Sequence, residues 1–260
     1  MSENYILSAI EGGVLSLTIN RPNQLNALNS EVIATLSQHV EAAQSDDSVK
    51  VIILTGSGEK AFVAGADIKE FADFSPQQGK DLAALGQATL FDRLERSAKP
   101  VIAAVNGFAL GGGLELAMSA HIRVASANAK LGLPEVGLGV IPGYGGTQRL
   151  AQLVGKGKAM EMVLTAGMIS AEEACNLGLV NYCVDQGELL ETCGGIAKKM
   201  MRNAPTALAA AIKCVLAGYT DSVDGYGVEI EQFGLCFGTE DFKEGTTAFL
   251  EKRKAEFPGK

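Results

Sequence analysis

Two glutamates in apolar, glycine-rich stretches are the strongest candidates for chemistry in this sequence. Glu115 follows a run of three glycines and lies between Leu114 and Leu116, and Glu135 follows Pro134 in a second glycine-rich stretch. Burial among apolar side chains raises the pKa of a carboxyl group, although a helix start would oppose that rise at Glu115. Two carboxyls that titrate near neutrality can hold a water molecule and exchange its protons, so the pair predicts acid–base chemistry.

Each glutamate also has an ordinary structural explanation. A glutamate in the first turn of a helix usually complements the helix dipole, as Glu115 could. A glutamate after a proline, as Glu135 is, usually faces solvent. Taken alone, the residue types leave the catalytic and the structural explanation open for both.

Main-chain donors for an anion are predicted in two segments of small residues. These are AFVAGADIKE, residues 61–70, and PVIAAVNGFALGGGLELAMSAHIRVA, residues 100–125. In each segment, glycines and small side chains follow a predicted buried strand. Free N–H groups in such turns form a concave site for an oxygen anion, above all where a helix begins. Two such donors on one thioester carbonyl would stabilise an enolate.

Alternating strands and helices must position these segments. Strands are predicted at residues 4–10, 13–19, 50–54, 100–105 and 121–125, the first two joined at a Gly12-Gly13 turn. Helices are predicted at residues 30–44 with Ser30 as the N-cap, at 78–97 and at 113–120. Residues 132–146 read as a functional loop, and the rest as mostly helical with one strand near 180–184. The pattern favours an α/β core followed by a helical tail.

Composition argues against several classes of function. The net charge of −8 disfavours nucleic-acid and membrane binding, and tryptophan for base stacking is absent. The five cysteines form no CxxC pair, which argues against a disulfide framework or a zinc site. Neither a signal peptide nor an uninterrupted membrane span is recognisable, so we expect a cytoplasmic protein.

Common catalytic motifs are missing from the sequence. It contains no dinucleotide fingerprint, no complete phosphate loop and no GxSxG elbow. With His39 and His121 as the only histidines, catalytic triads and HExxH zinc sites are nearly excluded. The chemistry must therefore depend on carboxylates, backbone amides or a cofactor.

Several long motifs resemble the crotonase (enoyl-CoA hydratase/isomerase) superfamily in the same order. They are TINRPNQLNALN, AFVAGADIKE, AAVNGFALGGGLELAM, KLGLPEVGLGVIPGYGGTQRL and TAFLEKRKAEF, and they span almost the whole chain. The resemblance implies an α/β fold, the ClpP-like crotonase spiral of ββα units. It implies a catalytic core at residues 1–200 and a helical oligomerisation region at residues 201–260. That region would form homotrimers or homohexamers.

The resemblance also implies an activity and a site. The activity is hydration of a short trans-2-enoyl-CoA, such as crotonyl-CoA, to the 3-hydroxyacyl-CoA, with no metal or other cofactor beyond the CoA of the substrate. Glu115 and Glu135 match the catalytic glutamates, and Ala66 and Gly112 match the residues whose N–H groups form the oxyanion hole. Contacts with CoA are implied for Ala64, Asp67, Ile68, Lys69, Phe249 and Lys252, the last two with the nucleotide bound by a neighbouring subunit.

Some positions differ from the usual pattern of the family. Asn23 stands where many relatives have a lysine near the CoA phosphates, and Leu114 replaces a frequent cysteine. His121 stands near a frequent aspartate and is read as structural. Tyr144 could shape the acyl pocket or be a surface aromatic.

Three rival functions remain. Δ3,Δ2-Enoyl-CoA isomerisation would use one glutamate and no water. A non-catalytic CoA- or RNA-binding scaffold, or a serine peptidase of the related spiral fold, would need neither glutamate. The presence of both Glu115 and Glu135 favours hydration.

Overall fold

Two β-sheets form the framework of residues 4–260, the part of the chain that the structure, a computed structural model, describes. The strands are, in chain order, β1 (Ile6–Glu11), β2 (Val14–Ile19), β3 (Val51–Gly56), β4 (Ala61–Val63), β5 (Val101–Val105), β6 (Phe108–Leu110), β7 (Ile122–Ser126), β8 (Lys130–Gly132), β9 (Met168–Ser170) and β10 (Tyr182–Val184). Among these described strands, the larger sheet has the order β1-β2-β3-β5-β7-β10 and the smaller one β4-β6-β8-β9. Strands pair in parallel except β1 with β2 and β8 with β9.

Helices follow pairs of strands along the chain. They are α1 (Ser30–Ser45), α2 (Pro76–Gly86), α3 (Asp92–Glu95), α4 (Gly112–Met118), α5 (Gly146–Thr165), α6 (Ala171–Asn176), α7 (Leu189–Met200), α8 (Pro205–Ala217), α9 (Gly225–Cys236) and α10 (Glu240–Glu251). The pairs β3–β4, β5–β6 and β7–β8 each give one strand to the larger sheet and one to the smaller sheet. A helical segment follows each pair, which produces the repeated ββα units that the resemblance implies.

The central strands are buried on both faces because each face has its own apolar partner. Ile52 and Leu54 of β3 lie in the core between the sheets. Val51 and Ile53 point to the other side, where they join Cys193 of α7 in a second cluster. A strand covered on both faces needs an unbroken apolar run, which explains the sequence of β3 and of β5.

Helix α1 begins one residue away from the predicted cap. The side chain of Asn29, which has an extended backbone, accepts a hydrogen bond from the N–H of Val32 at 2.8 Å. Ser30, predicted as the N-cap, is instead the first helical residue. Its N–H and its hydroxyl both donate to the carboxylate of Glu70. The Ser30 prediction was therefore wrong because a distant acid binds that hydroxyl.

The helix predicted at residues 78–97 is interrupted. Helix α2 starts earlier, at a capping box formed by Ser75 and Gln78, and residues 87–91 form π-helical turns before α3. The change of helix type follows Gly86, which packs against the ring of Tyr144. A Cβ at Gly86 would lie 2.4 Å from Cε1 of that ring, so only glycine fits there.

The C-terminal helices α8, α9 and α10 leave large apolar side chains exposed. They include Val215, Tyr226, Ile230, Phe233, Phe249 and Leu250. Large apolar side chains exposed together in one part of a chain favour an interaction site there. None of the helices described between residues 4 and 260 combines the length and apolarity that crossing a bilayer requires.

Candidate active site

A cavity of about 490 Å³ opens where β4 and β6 end and α4 begins. Ala66, Gly112, Glu115 and Glu135 all contribute to its wall. The rest of the wall is mostly apolar and includes Phe71, Phe74, Leu82, Leu138, Val140, Ile141 and Tyr144. An apolar cavity with a few converging polar groups is the usual form of a small-molecule site.

Glu115 lies in the first turn of α4 and is almost fully buried, with 1% of its surface exposed. Its Oε1 accepts two hydrogen bonds of 2.8 Å, from the N–H groups of Tyr144 and Gly146. Gly146 is the first residue of α5, and a Cβ there would lie 2.8 Å from Oε1. The backbone of residues 144–146 therefore fixes one oxygen of the carboxyl.

The environment of Glu115 moves the pKa of its carboxyl group close to neutrality. Burial raises the pKa of Glu115 from 4.5 to about 7, and the charge of Glu135 adds to that rise. The N–H groups of Gly146 and Tyr144 and the charge of Arg149 oppose it. The net result is an acid that can lose or gain a proton near pH 7, as general acid–base chemistry requires.

Glu135 begins the 3-10 turn Glu135–Leu138 after Pro134 and is half-buried. Its Oε1 lies close to the backbone of Gly111, where an added Cβ would come within 3.0 Å. Its Oε2 is buried and has no hydrogen-bond partner within residues 4–260. Burial also raises the pKa of Glu135. The cavity thus contains an acceptor oxygen that a water molecule or a substrate can satisfy.

The N–H groups of Ala66 and Gly112 are the main-chain donors at the cavity. Leu28 forms a parallel bridge with Ala66. The N–H of Leu28 donates to the carbonyl oxygen of Gly65, and the carbonyl oxygen of Leu28 accepts from the N–H of Asp67. The N–H of Ala66 therefore points away from Leu28. Gly112 is the first residue of α4, where helical N–H groups have no helical acceptor. Neither N–H has a hydrogen-bond acceptor in the described chain.

Glycine is required at Gly113 because α4 packs directly on β4. A Cβ at Gly113 would lie 1.9 Å from the carbonyl oxygen of Val63. This close approach places the start of α4 beside the segment that carries Ala66. The glycine run thus has a steric reason as well as an electrostatic one.

The four residues near Ala66 that are implied to contact CoA divide into two pairs. Ala64 and Ile68 line the cavity. The carboxylate of Asp67 pairs with Arg21 at 3.0 Å, and Lys69 is exposed beside it, both outside the cavity wall. The first pair is brought to the site, whereas the second is not.

The other positions implied by the resemblance lie elsewhere. Phe249, 82% exposed, and Lys252 lie at the end of α10 and outside the wall of this cavity. Asn23 is exposed in a short 3-10 turn. The His121 ring links two segments of the backbone. Its Nδ1 accepts a hydrogen bond from the N–H of Val101, and its Nε2 lies 3.0 Å from the carbonyl oxygen of Glu95.

Tyr144 is a wall residue of the cavity rather than a surface aromatic. It is 7% exposed and stacks on Phe91 with ring centroids 4.5 Å apart. One edge of the ring faces Gly86 and the other faces Gly112. Of the two alternatives that the sequence left open, the structure supports the one in which Tyr144 shapes the pocket.

Sequence reasoning missed the groups that hold Glu115. They are the amides of Tyr144 and Gly146 and the buried guanidinium of Arg149, which binds the Tyr144 carbonyl. Arg149 follows Thr147 and Gln148 in a polar stretch, so no local pattern in the sequence singles it out. Within residues 4–260, no group of three or more His, Cys, Asp or Glu side chains is arranged to hold a metal ion.

Comparisons of the sequence and of the structure with known proteins point to the same family. Residues 9–260 match the sequence profile of the enoyl-CoA hydratase/isomerase family. The chain is 49% identical to a short-chain-enoyl-CoA hydratase of Clostridium acetobutylicum, over 98% of each chain. It is 48% identical to a crotonyl-CoA hydratase of Syntrophomonas wolfei, over 99% of each chain. A crystal structure of an enoyl-CoA hydratase from Bacillus anthracis superposes with a TM-score of 0.93 at 37% identity, covering 99% of this chain and all of the other.

Proposed function

The chain belongs to the enoyl-CoA hydratase/isomerase family, and on that basis we propose that it adds water reversibly to short trans-2-enoyl-CoA thioesters to give 3-hydroxyacyl-CoA. The observation that carries the assignment is the position of Glu115 and Glu135. Both line one cavity, together with the N–H donors of Ala66 and Gly112. Hydration needs two acid–base groups and an anion site, and this cavity supplies both.

The thioester carbonyl is assigned to the N–H groups of Ala66 and Gly112. When hydroxide adds to Cβ, negative charge moves through Cα to the thioester oxygen. Donors already in place stabilise that charge without reorganisation, which is the main advantage of a preformed site. The N–H of Gly112 carries in addition the positive end of the first turn of α4.

The two glutamates are assigned to the water and its protons. In hydration, the oxygen of the water bonds to Cβ while Glu115 takes one proton from that water. Protonated Glu135 gives a proton to Cα. Dehydration reverses both transfers. In either direction the pair carries one proton in total, which the bound water passes between the acids. The raised pKa of Glu115, about 7, favours that singly protonated state near neutrality.

A short acyl chain fits the fixed position of Tyr144. The ring packs closely against the backbone of Gly86, where a Cβ would lie 2.4 Å from Cε1, and Phe91 stacks on its face. Its other edge lies next to Gly112 and therefore next to the proposed position of the thioester. A fixed ring at this point shortens the space for the acyl chain.

We also propose that residues 201–260 form an oligomerisation region on a catalytic core of residues 1–200. The exposed apolar side chains of α8–α10 support this because a monomer would leave them in water. The family resemblance favours a homotrimer or a homohexamer. Phe249 and Lys252, which do not line the cavity of their own chain, would then meet the CoA nucleotide of a neighbouring subunit. Light scattering coupled to gel filtration tests the subunit number.

All steps are assigned to side chains and amides of this chain, with CoA entering as part of the substrate and no metal or redox cofactor taking part. We place the enzyme in the cytoplasm. Its five cysteines are all free thiols, as is usual in a reducing compartment.

The test is the loss of enoyl-thioester ultraviolet absorbance when the purified protein is mixed with crotonyl-CoA. Glu115→Gln and Glu135→Gln should each lower the rate by on the order of 10²–10⁴-fold. Glu59→Gln, at an exposed glutamate, is the matched control and should retain full activity. Undiminished hydration in both active-site variants would refute the assignment.

Product analysis separates the rival activities. An isomerase would convert a 3-enoyl-CoA to the 2-enoyl-CoA and incorporate no oxygen from labelled water into a 3-hydroxyacyl product. A non-catalytic scaffold would bind acyl-CoA and leave its absorbance unchanged.

A further inference from the structure

Arg149, which is 7% exposed, lies behind the wall of the active-site cavity in the first turn of α5. Four hydrogen bonds hold its guanidinium. Nη1 donates to the carbonyl oxygen of Tyr144 at 2.8 Å. Nε and Nη2 donate to the two carboxylate oxygens of Glu95 at 3.0 and 2.7 Å, and Nη2 donates also to Asp92 at 2.8 Å.

One short loop joins this guanidinium to Glu115. Tyr144, whose carbonyl binds Arg149, donates its N–H to Oε1 of Glu115, and Gly146 donates to the same oxygen. Between them, Gly145 has a φ of +89°, and a Cβ there would lie 2.3 Å from Nη1 of Arg149. The loop therefore rests directly on the guanidinium, while the other side of the same loop holds the carboxyl.

We propose that Arg149 is a positioning residue for hydration, which fixes the loop of residues 144–146 so that both amides stay on Glu115 and direct its carboxyl to the bound water. The inference rests on the proposed function. Arg149 is separate from the cavity wall and makes no contact with the space assigned to the substrate. Its role is therefore exerted through Glu115.

The role of Arg149 is mainly geometric because its charge is largely compensated. Two carboxylates, Asp92 and Glu95, face the guanidinium. The ring of His121, which also feels the charge of Arg123, lies with Nε2 3.0 Å from the carbonyl oxygen of Glu95.

The charged and titratable groups that act on Glu115 are Glu135, Arg149 and Tyr144. Arg149 has the smallest effect of the causes that shift the pKa of Glu115, and it lowers that pKa. Losing the arginine would therefore act on Glu115 mostly by releasing the two amides. Both effects raise the pKa of Glu115.

Lysine cannot replace this arginine. A guanidinium offers donors in a fixed planar fork, and here that fork meets one carbonyl and two carboxylates at the same time. An ammonium group keeps the charge but cannot reach the three acceptors with the same geometry. Arg149→Lys thus separates the shape of the group from its charge.

The experiment compares Arg149→Lys with the wild type for crotonyl-CoA hydration over a range of pH. We expect kcat to fall about 10- to 100-fold, since small displacements of an acid–base group cost this much. The KM should stay within about threefold, since the groups assigned to CoA and the thioester lie elsewhere. The alkaline limb of the kcat/KM profile should move to higher pH.

Arg93→Lys is the matched control. Arg93 lies in α3 beside Asp92 and pairs with exposed Glu41 on the outer surface, so its variant should keep both kinetic constants and the pH profile. Asp92→Asn is the milder second variant in case Arg149→Lys does not fold. It weakens one of the four hydrogen bonds of Arg149, so kcat should fall less than in Arg149→Lys while KM stays unchanged.

The outcomes separate the inference from the proposed function. A wild type without hydratase activity refutes both. An active wild type that Glu115→Gln inactivates, together with an Arg149→Lys enzyme of unchanged kcat and pH profile, overturns the positioning role alone. A folded variant with a raised KM and an unchanged pH profile overturns it as well, because it would indicate a merely structural effect on binding.

Discussion

Replacing Glu115 with glutamine should stabilise the fold while it stops the reaction. The glutamine oxygen can still accept the N–H groups of Tyr144 and Gly146, but the neutral amide avoids the burial of a charge. The fold raises the pKa of Glu115 from 4.5 to about 7, so it favours the protonated acid. The stability from that preference is fully present below pH 4.5 and is lost as the pH rises through about 7. Since one pKa unit is worth about 1.4 kcal/mol, Glu115→Gln should gain about 3 kcal/mol over the wild type in alkaline buffer.

Urea unfolding at a fixed protein concentration, at about pH 8.5 and about pH 5.5, measures this gain and its pH dependence. The advantage of the variant should shrink by about 2 kcal/mol at the lower pH, because below about pH 7 the carboxyl of the folded wild type is protonated and no longer buries a charge. Glu59→Gln, at an exposed position, should show no such pH-dependent gain. A stability difference that stays constant with pH would refute the reasoning, because it would show that burial of the Glu115 charge costs the fold nothing.

Three further predictions concern activity. The kcat/KM for crotonyl-CoA should follow a bell-shaped pH profile whose alkaline limb lies near 7, because the last proton of the Glu115–Glu135 pair leaves at about that pH. A flat profile from pH 6 to 9 would contradict the shared proton. Tyr144→Ala should raise the preference for a six- or eight-carbon enoyl-CoA over crotonyl-CoA by about 10-fold or more, since a methylene in an apolar pocket is worth about 1–3 kcal/mol. An unchanged ratio of the two kcat/KM values would show that another residue limits chain length. Gly111→Ala should lower kcat by about 10- to 100-fold, because the new Cβ would meet Oε1 of Glu135 at 3.0 Å. The φ of +53° at this residue also disfavours any side chain. Wild-type kcat in a folded variant would mean that the position of Glu135 is not critical.

The sequence predicts those parts of the fold that one continuous pattern determines. The hairpin of β1 and β2 follows from alternating residues around two glycines, and β3 and β5 follow from unbroken apolar runs. The strands β4, β6, β8 and β9 have only three residues each. So short a segment shows no periodicity, and its conformation depends on strands that are distant in sequence.

The site is predictable as far as it depends on residue type. Two acids in apolar surroundings pointed to Glu115 and Glu135, and glycines pointed to the donors. The amides that hold Glu115 belong to residues 29 and 31 positions further along the chain, and the acids that hold Arg149 lie 54 and 57 positions before it. Nothing local distinguishes such partners from surface residues, so Arg149 and the π-helical turns beside Tyr144 had to come from the structure.

The close fit of Tyr144 against Gly86 has a consequence for how this enzyme could diverge. Any side chain larger than hydrogen at residue 86 collides with the ring as long as the tyrosine is present. Removing the ring first would permit Gly86→Ala, which should also suit a helix better. The two positions are therefore epistatic. A lineage that loses the ring first can then accept a side chain at residue 86, whereas in the reverse order the new Cβ would force the ring out of its position.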